Sequence, residues 1–147
     1  MKLVVLAFLA GSALACAPLT FSDPGSIDFE RYRSARVEGD WADYLADELT
    51  ETSGFEWVTT DPEVDVDLVI SVSIFVAPEV ECECEGGCEC NCTCNTEYDA
   101  TASYVATNPA GNLVDQGSEN DTSWTAGEAA EDVLDQIALH YIRPYRL

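Results

Sequence analysis

Val64-Asp65-Val66-Asp67-Leu68-Val69-Ile70-Ser71-Val72-Ser73-Ile74-Phe75-Val76 decides the fold. Every even position is apolar, and the odd ones carry Asp65, Asp67, Ser71 and Ser73. Period two over thirteen residues predicts a β-strand with one buried face. The same parity runs on through Val80, Cys82 and Cys84, resumes in Cys88, Cys90, Cys92 and Cys94, and continues to Tyr98, Ala100, Ala102, Tyr104 and Ala106. Glu85-Gly86-Gly87 between them reads as a three-residue hairpin loop, with Gly87 in the left-handed position of a bulge. That register sets Cys84 opposite Cys88, Cys82 opposite Cys90, Ile74 opposite Tyr98, Ile70 opposite Ala102 and Leu68 opposite Tyr104. A one-residue slip would turn the whole apolar set to the wrong face. Pro78 is expected to bulge or break the ribbon, because it brings no backbone donor.

Upstream, Phe29 to Val37 reads as a first strand ended by Gly39. Asp40 suits an N-cap, and Trp41, Tyr44, Leu45 and Leu49 follow at helical spacing, with Gly54 as the stop. Phe55 to Thr60 is a short strand before the Asp61-Pro62 turn. Downstream, Pro109-Ala110-Gly111 makes a second hairpin, and Leu113 to about Glu119 is the return strand. Thr125 with Glu128 forms a capping box for a helix whose apolar stripe is Ala130, Val133, Leu134, Ile137 and Tyr141. His140 and Arg143 sit in its last turn, where positive charge complements the dipole, and Pro144 stops it. The order is β-α-β-β-β-β-α. The economical packing is a two-layer α+β domain, an antiparallel sheet of four or five strands with both helices on one face.

The first fifteen residues are set apart from this fold. Lys2 precedes an apolar run from Leu3 to Leu14, too short to span a bilayer. Ser12-Ala13-Leu14-Ala15-Cys16 resembles a bacterial lipobox, which implies that Cys16 is lipidated and begins the mature chain. An ordinary secretory cleavage at the same bond is the other reading. Ala17 in place of Asp implies, by analogy with enterobacterial lipoproteins, sorting to the outer membrane. The organisation expected is a signal peptide at 1–15, an anchor and tether at 16–27, and one α+β domain at 28–147 with a cysteine-rich hairpin at 79–97.

Lys and Arg number 6 against 28 Asp and Glu, for a formal charge of -22 across 147 residues. That argues against nucleic acid and anionic membrane surfaces as electrostatic partners. Between Val37 and Ile142 there is no Lys or Arg at all. This stretch repels itself, so salt is expected to raise the thermal midpoint; melts at low and high salt check this, and an unchanged midpoint would refute it.

Cys82, Cys84, Cys88, Cys90, Cys92 and Cys94 place six thiols within thirteen residues, on one face of an extended ribbon, with Glu81, Glu83, Glu85 and Glu89 on the other. Two chemistries fit. An exported chain meets an oxidising compartment, and opposed Cβ atoms lie near disulfide reach, although the register above leaves Cys92 and Cys94 facing Val80 and Pro78. Repeated Cys-x-Cys also resembles metallothioneins, which implies a thiolate cluster holding Zn²⁺ or Cu⁺. Six cysteines allow fifteen connectivities, and the sequence does not choose among them.

Other motifs are weaker. His140 is the sole histidine, so one chain offers no multi-His metal site. Asp61, Glu63, Asp65 and Asp67 lack the Gly and terminal Glu of an EF-hand loop and read as a solvated face. No nucleophile elbow, thioredoxin-type Cys-x-x-Cys or phosphate-binding Gly loop is present, and no catalytic residue is assigned. Asn91 and Asn120 head Asn-x-Thr triplets that matter only in a secreted eukaryotic glycoprotein.

Ser22-Asp23-Pro24, Asp28-Phe29 and Tyr32-Arg33-Ser34, then Leu49 with Gly54-Phe55 and Val64-Asp-Val-Asp-Leu-Val-Ile70, resemble a family of small, uncharacterised bacterial outer-membrane lipoproteins. The element order is similar to the small α+β domains of outer-membrane assembly lipoproteins, such as the one that plugs the lipopolysaccharide translocon. The cysteine hairpin is an insertion relative to that pattern. The resemblance implies a non-enzymatic, lipid-anchored envelope protein without a cofactor, attached to the membrane by its anchor and acting on an envelope protein partner. The alternative is a thiolate metal-binding protein.

Overall fold

The computed structural model of the chain describes residues 27–85 and 91–142. The signal segment, Cys16, the tether, Gly86, Gly87, Cys88, Cys90 and Arg143 lie outside the described residues.

The elements are β1 (Ser34–Gly39), α1 (Ala42–Thr52), β2 (Trp57–Thr59), β3 (Leu68–Glu85), β4 (Asn91–Thr107), β5 (Leu113–Ser123) and α2 (Ala126–His140). The α+β class and the β-α-β-β-β-β-α order are as expected. One five-stranded sheet runs in the order β2-β1-β3-β4-β5. It is mixed rather than antiparallel: β1 pairs in parallel with both β2 and β3, and only β3–β4 and β4–β5 are antiparallel. The reason lies in the connection. α1 carries the chain back along the sheet, so β2 starts at the same end as β1, which is what a helical crossover does. Arg36, on the face opposite Ala35 and Val37, donates through Nη1 to the Val64 carbonyl at 3.1 Å and so holds the 60–67 connection beside β1.

Period two places Leu68, Ile70 and Val72 of β3 and Ala100, Ala102, Tyr104 and Ala106 of β4 inside, where Ala35 and Val37 of β1 join them. Leu45 and Leu49 of α1 and Val133, Leu134 and Ile137 of α2 cover this face, so both helices lie on one side. The other face is open, with Phe75 69% exposed and Val105 41% exposed.

The first strand begins later than expected. Phe29 and Tyr32 are buried ahead of it, in a turn closed by Tyr32 N–H donating to the Asp28 carbonyl at 2.8 Å. Asp40 does not cap α1. Its N–H donates to the Val72 carbonyl at 3.0 Å, and its carboxylate accepts from Ile74 N–H at 3.0 Å, so it fastens the end of β1 to β3. Trp41 takes the cap position in a left-handed conformation, with φ 55° and no side-chain cap bond. Thr125 caps α2 as expected, with Glu128 N–H donating to Thr125 Oγ1 at 3.2 Å, but Glu128 Oε2 accepts from the Thr125 hydroxyl at 3.0 Å rather than from its backbone N–H as a full capping box would have it. The second hairpin also holds, with Gly111 at φ 81° and Asn108 N–H donating to the Asn112 carbonyl.

Asp67 is no part of a solvated face. Its Oδ2 accepts from Arg33 N–H at 3.0 Å, Ser34 N–H at 3.1 Å and Ser34 Oγ at 3.0 Å. One carboxylate oxygen thus gathers the entry to β1 against the start of β3. Asp67→Ala leaves two backbone donors without this acceptor and should cost about 3 kcal/mol. Urea denaturation measures it, and a loss under about 1 kcal/mol would show water taking over the contacts.

Candidate functional site

β3 and β4 outrun the rest of the sheet. β5 accompanies β4 only as far as the Tyr98–Ser123 pair, and β1 leaves β3 at Val72. Beyond those points a two-stranded ribbon projects. Its register differs from the sequence expectation by four residues: Ile74 faces Ala102, Ile70 faces Ala106, and Val72 faces Tyr104. Cys82 is opposite Cys94 and Cys84 opposite Cys92, and both pairs are disulfides, with Cα separations of 4.0 and 4.1 Å. The expected oppositions 84–88 and 82–90 are therefore overturned. A four-residue shift keeps every side chain on its own face, so alternation cannot detect it. The shift does remove the flaw of the earlier register, since Cys92 and Cys94 gain cysteine partners.

Four of the six sulfurs are thus unavailable as thiolate ligands in this oxidised state, which removes the six-thiolate cluster. Among the described residues, no group of three or more His, Cys, Asp or Glu is placed to hold a metal ion.

Pro78 neither bulges nor breaks β3, and it pairs with Tyr98. Val72 accepts and Ile74 donates on the side away from β4. By alternation the Pro78 nitrogen points to that same open edge, where a missing donor breaks no ladder bond.

The ribbon is two-faced. Glu79, Glu81, Glu83 and Glu85 stand on one side with Glu97 and Asp99 of β4, and Glu79 is directly opposite Glu97. A hydrogen bond that the protonated Glu79 carboxyl donates to Asp99, with the negative charge around it, raises Glu79 above the usual carboxylate range. The other side carries Val76, Pro78, Val80 and the two disulfides on β3, and Thr96 and Tyr98 on β4.

A second cluster lies where α2 meets β5. His140 is bonded to Glu119, so its role is a specific pairing with β5 and not only a complement to the helix dipole. Tyr104 donates to Asp115 Oδ2 at 3.5 Å, and its ring lies 6.0 Å from those of His140 and Tyr141. Asp115 is 5% exposed. The sequence reading passed over this group, although Asp115 and Gly117 at alternating positions of β5 break the apolar pattern and mark an unusual inner face. Burial, then the Asp115 charge, pushes both Tyr104 and Tyr141 well above the ordinary tyrosine range. A raised folded value means the fold keeps these protons while the unfolded chain loses them above about pH 10. Their contribution to stability is therefore complete below pH 10 and falls above it, by at most about 1.4 kcal/mol per pH unit for each tyrosine. Burial and a hydrogen bond to Asp135 raise Tyr44 as well, so a 295 nm absorbance titration should show three tyrosines ionising late, Tyr104 and Tyr141 only as the fold is lost; six ionising together near the ordinary value would refute this.

No family model matches the chain, and no curated protein matches it. Solved structures of PelC share the fold. The PelC dodecamer from Paraburkholderia phytofirmans aligns with a TM-score of 0.52 at 12% identity, covering 84% of this chain and 96% of that one. A point variant of the same PelC gives 0.51 at 15% identity, covering 76% and 88%. A minor lipoprotein from Acinetobacter baumannii gives 0.40 at 16% identity, covering 73% and 87%. The likeness to PelC is one of fold.

Proposed function

We propose that the chain is a non-enzymatic, lipid-anchored protein of the cell envelope, held at the outer membrane through Cys16, whose α+β domain serves assembly or protein interaction. The observation that carries this reading is the ladder of two cross-strand disulfides behind an export-type N-terminus. Exposed ladders of this kind persist in oxidising compartments and are reduced in the cytosol. The layout supports the same reading. Residue 27 enters beside the C-terminal ends of both helices, where Phe29 packs edge-to-face with Phe55 and Gly54 N–H donates to the Tyr141 carbonyl. The ribbon leaves from the other end, beside both helix N-termini. An anchor at Cys16 then holds the domain by one end and presents the ribbon at the other.

The test is the intact mass of membrane-extracted mature protein, alkylated with and without prior reduction. A diacylglycerol mass on Cys16 is expected, with Cys82, Cys84, Cys92 and Cys94 alkylated only after reduction. An unmodified Cys16 would overturn the anchor, and alkylation of those four without reductant would overturn the oxidised ribbon.

A further inference from the structure

The uncharged face of the ribbon is solvent-exposed, although it carries the apolar half of an amphipathic element. Val80 is 58% exposed, and Pro78 and both disulfides are exposed beside it. Two tryptophans flank its root. Trp41, 43% exposed, follows the residue that bonds to Ile74 on the free edge of β3. Trp124, 66% exposed, follows Ser123, which pairs with Tyr98 on the other side. Both open the helices and so stand on the helix side of the sheet, the side this face shares.

We propose that this face is where a second copy of the chain docks, ribbon against ribbon, in a pairing that salt strengthens. Charge distribution chooses the occupant. Most of the protein's surface is acidic, and no Lys or Arg lies between Val37 and Ile142 to relieve it. Two copies meeting through the helices or through the glutamate side of the ribbon would set carboxylates against carboxylates, and the uncharged outer face of the sheet offers mainly Ser and Thr around Phe75 and Val105. Meeting through this face, they turn the Glu79, Glu81, Glu83 and Glu85 rows outward on opposite sides, and only rim acids such as Asp40 and Asp43 approach one another. The size suits a reversible dimer. From Ile74 to Cys84 the face is about 33 Å long at 3.3 Å per residue and about 10 Å wide across two strands. With the tryptophans this gives on the order of 600 Å² per copy, somewhat under the roughly 800 Å² of a stable standard interface. A two-fold axis makes such a contact self-complementary. At about 1 M salt the Debye length shrinks to about 3 Å, so rim repulsion fades while apolar burial remains.

The experiment is sedimentation velocity of the exported full chain carrying Cys16→Ser, so that neither lipid nor that thiol drives association. It is run at about 0.1 M and about 1 M NaCl. The expected result is a monomer–dimer equilibrium that shifts to dimer at high salt. Val80→Asp and, independently, Trp124→Ser should each weaken it about tenfold or more, while Glu81→Gln on the opposite face should not. A monomer at both salts would overturn the proposal. So would a dimer indifferent to both Val80→Asp and Trp124→Ser, a dimer that salt dissolves, or one that survives denaturant until reduced. A protein that stays monomeric yet floats with phosphatidylcholine vesicles would assign the face to a membrane instead.

Discussion

Replacing Gly39 with Ala should unfold the domain or come close to it. Gly39 sits at φ 101°, a region L side chains rarely adopt, and a Cβ there would stand 2.1 Å from the Val72 carbonyl oxygen. That oxygen cannot yield cheaply. It belongs to β3 near the middle of the sheet and accepts the Asp40 N–H at 3.0 Å, while the Asp40 carboxylate takes the next outward donor, Ile74 N–H. To admit a methyl group, the chain must release both bonds and lift the end of β1, on which the start of α1 depends. The expected cost is about 4 kcal/mol or more, against a total stability of roughly 5–15 kcal/mol for a domain of this kind. Gly111→Ala is the control. Gly111 is also left-handed, at φ 81°, but its Cβ would meet nothing within 4 Å, so it bears only the conformational cost of about 1–2 kcal/mol. Urea denaturation followed by circular dichroism compares the two. Equal losses would mean that backbone conformation alone, and not the collision with Val72, governs Gly39.

The same corner shows what the sequence makes legible. Gly39 reads as a strand end, and it is one. Asp40 beside it reads as a helix cap because acids are favoured there, but two outward-facing groups of β3 lie within its reach and take it instead. Local preference carried no information about a strand more than thirty residues away. The inner face of β3 and β4 was legible to the residue, since burial enforces parity. The pairing of those strands was not, because any even shift satisfies parity, and the turn that would fix it lies among glycines that fit more than one loop. Cysteine spacing held the missing clue: a register that leaves two of six cysteines opposite Val80 and Pro78 is a poor one. The direction of β1 was legible and misjudged, for a strand followed by a helix and then another strand is the usual source of parallel pairing. The acidic run at 61–67 reads as one solvated face, but Asp67 binds the start of β1. Nothing in its neighbours' composition distinguishes it from Asp65.

Gly117→Ala should be costly for a reason of packing alone, and a second substitution should recover part of the loss. Gly117 lies on the inner face of β5, directly opposite Tyr104. A Cβ there would approach Tyr104 Cε1 at 2.7 Å, Oη at 2.8 Å and Cζ at 2.9 Å. A tyrosine tip in solvent would swing aside. This one is 2% exposed, hydrogen-bonded to Asp115, with the rings of His140 and Tyr141 each 6.0 Å from its own. Moving it disturbs the attachment of the end of α2 to the sheet, so overpacking should cost about 3 kcal/mol, and Val at the same place more. Tyr104→Leu alone should also cost about 3 kcal/mol, by opening a cavity. In the double variant the new methyl group enters the space the ring has left, and the combined loss should fall short of the sum by about 1–2 kcal/mol. A thermodynamic cycle from four denaturation curves measures that difference. Strict additivity would mean that the two positions do not share space, and that Gly117 answers to the backbone of β5 rather than to the tyrosine it faces.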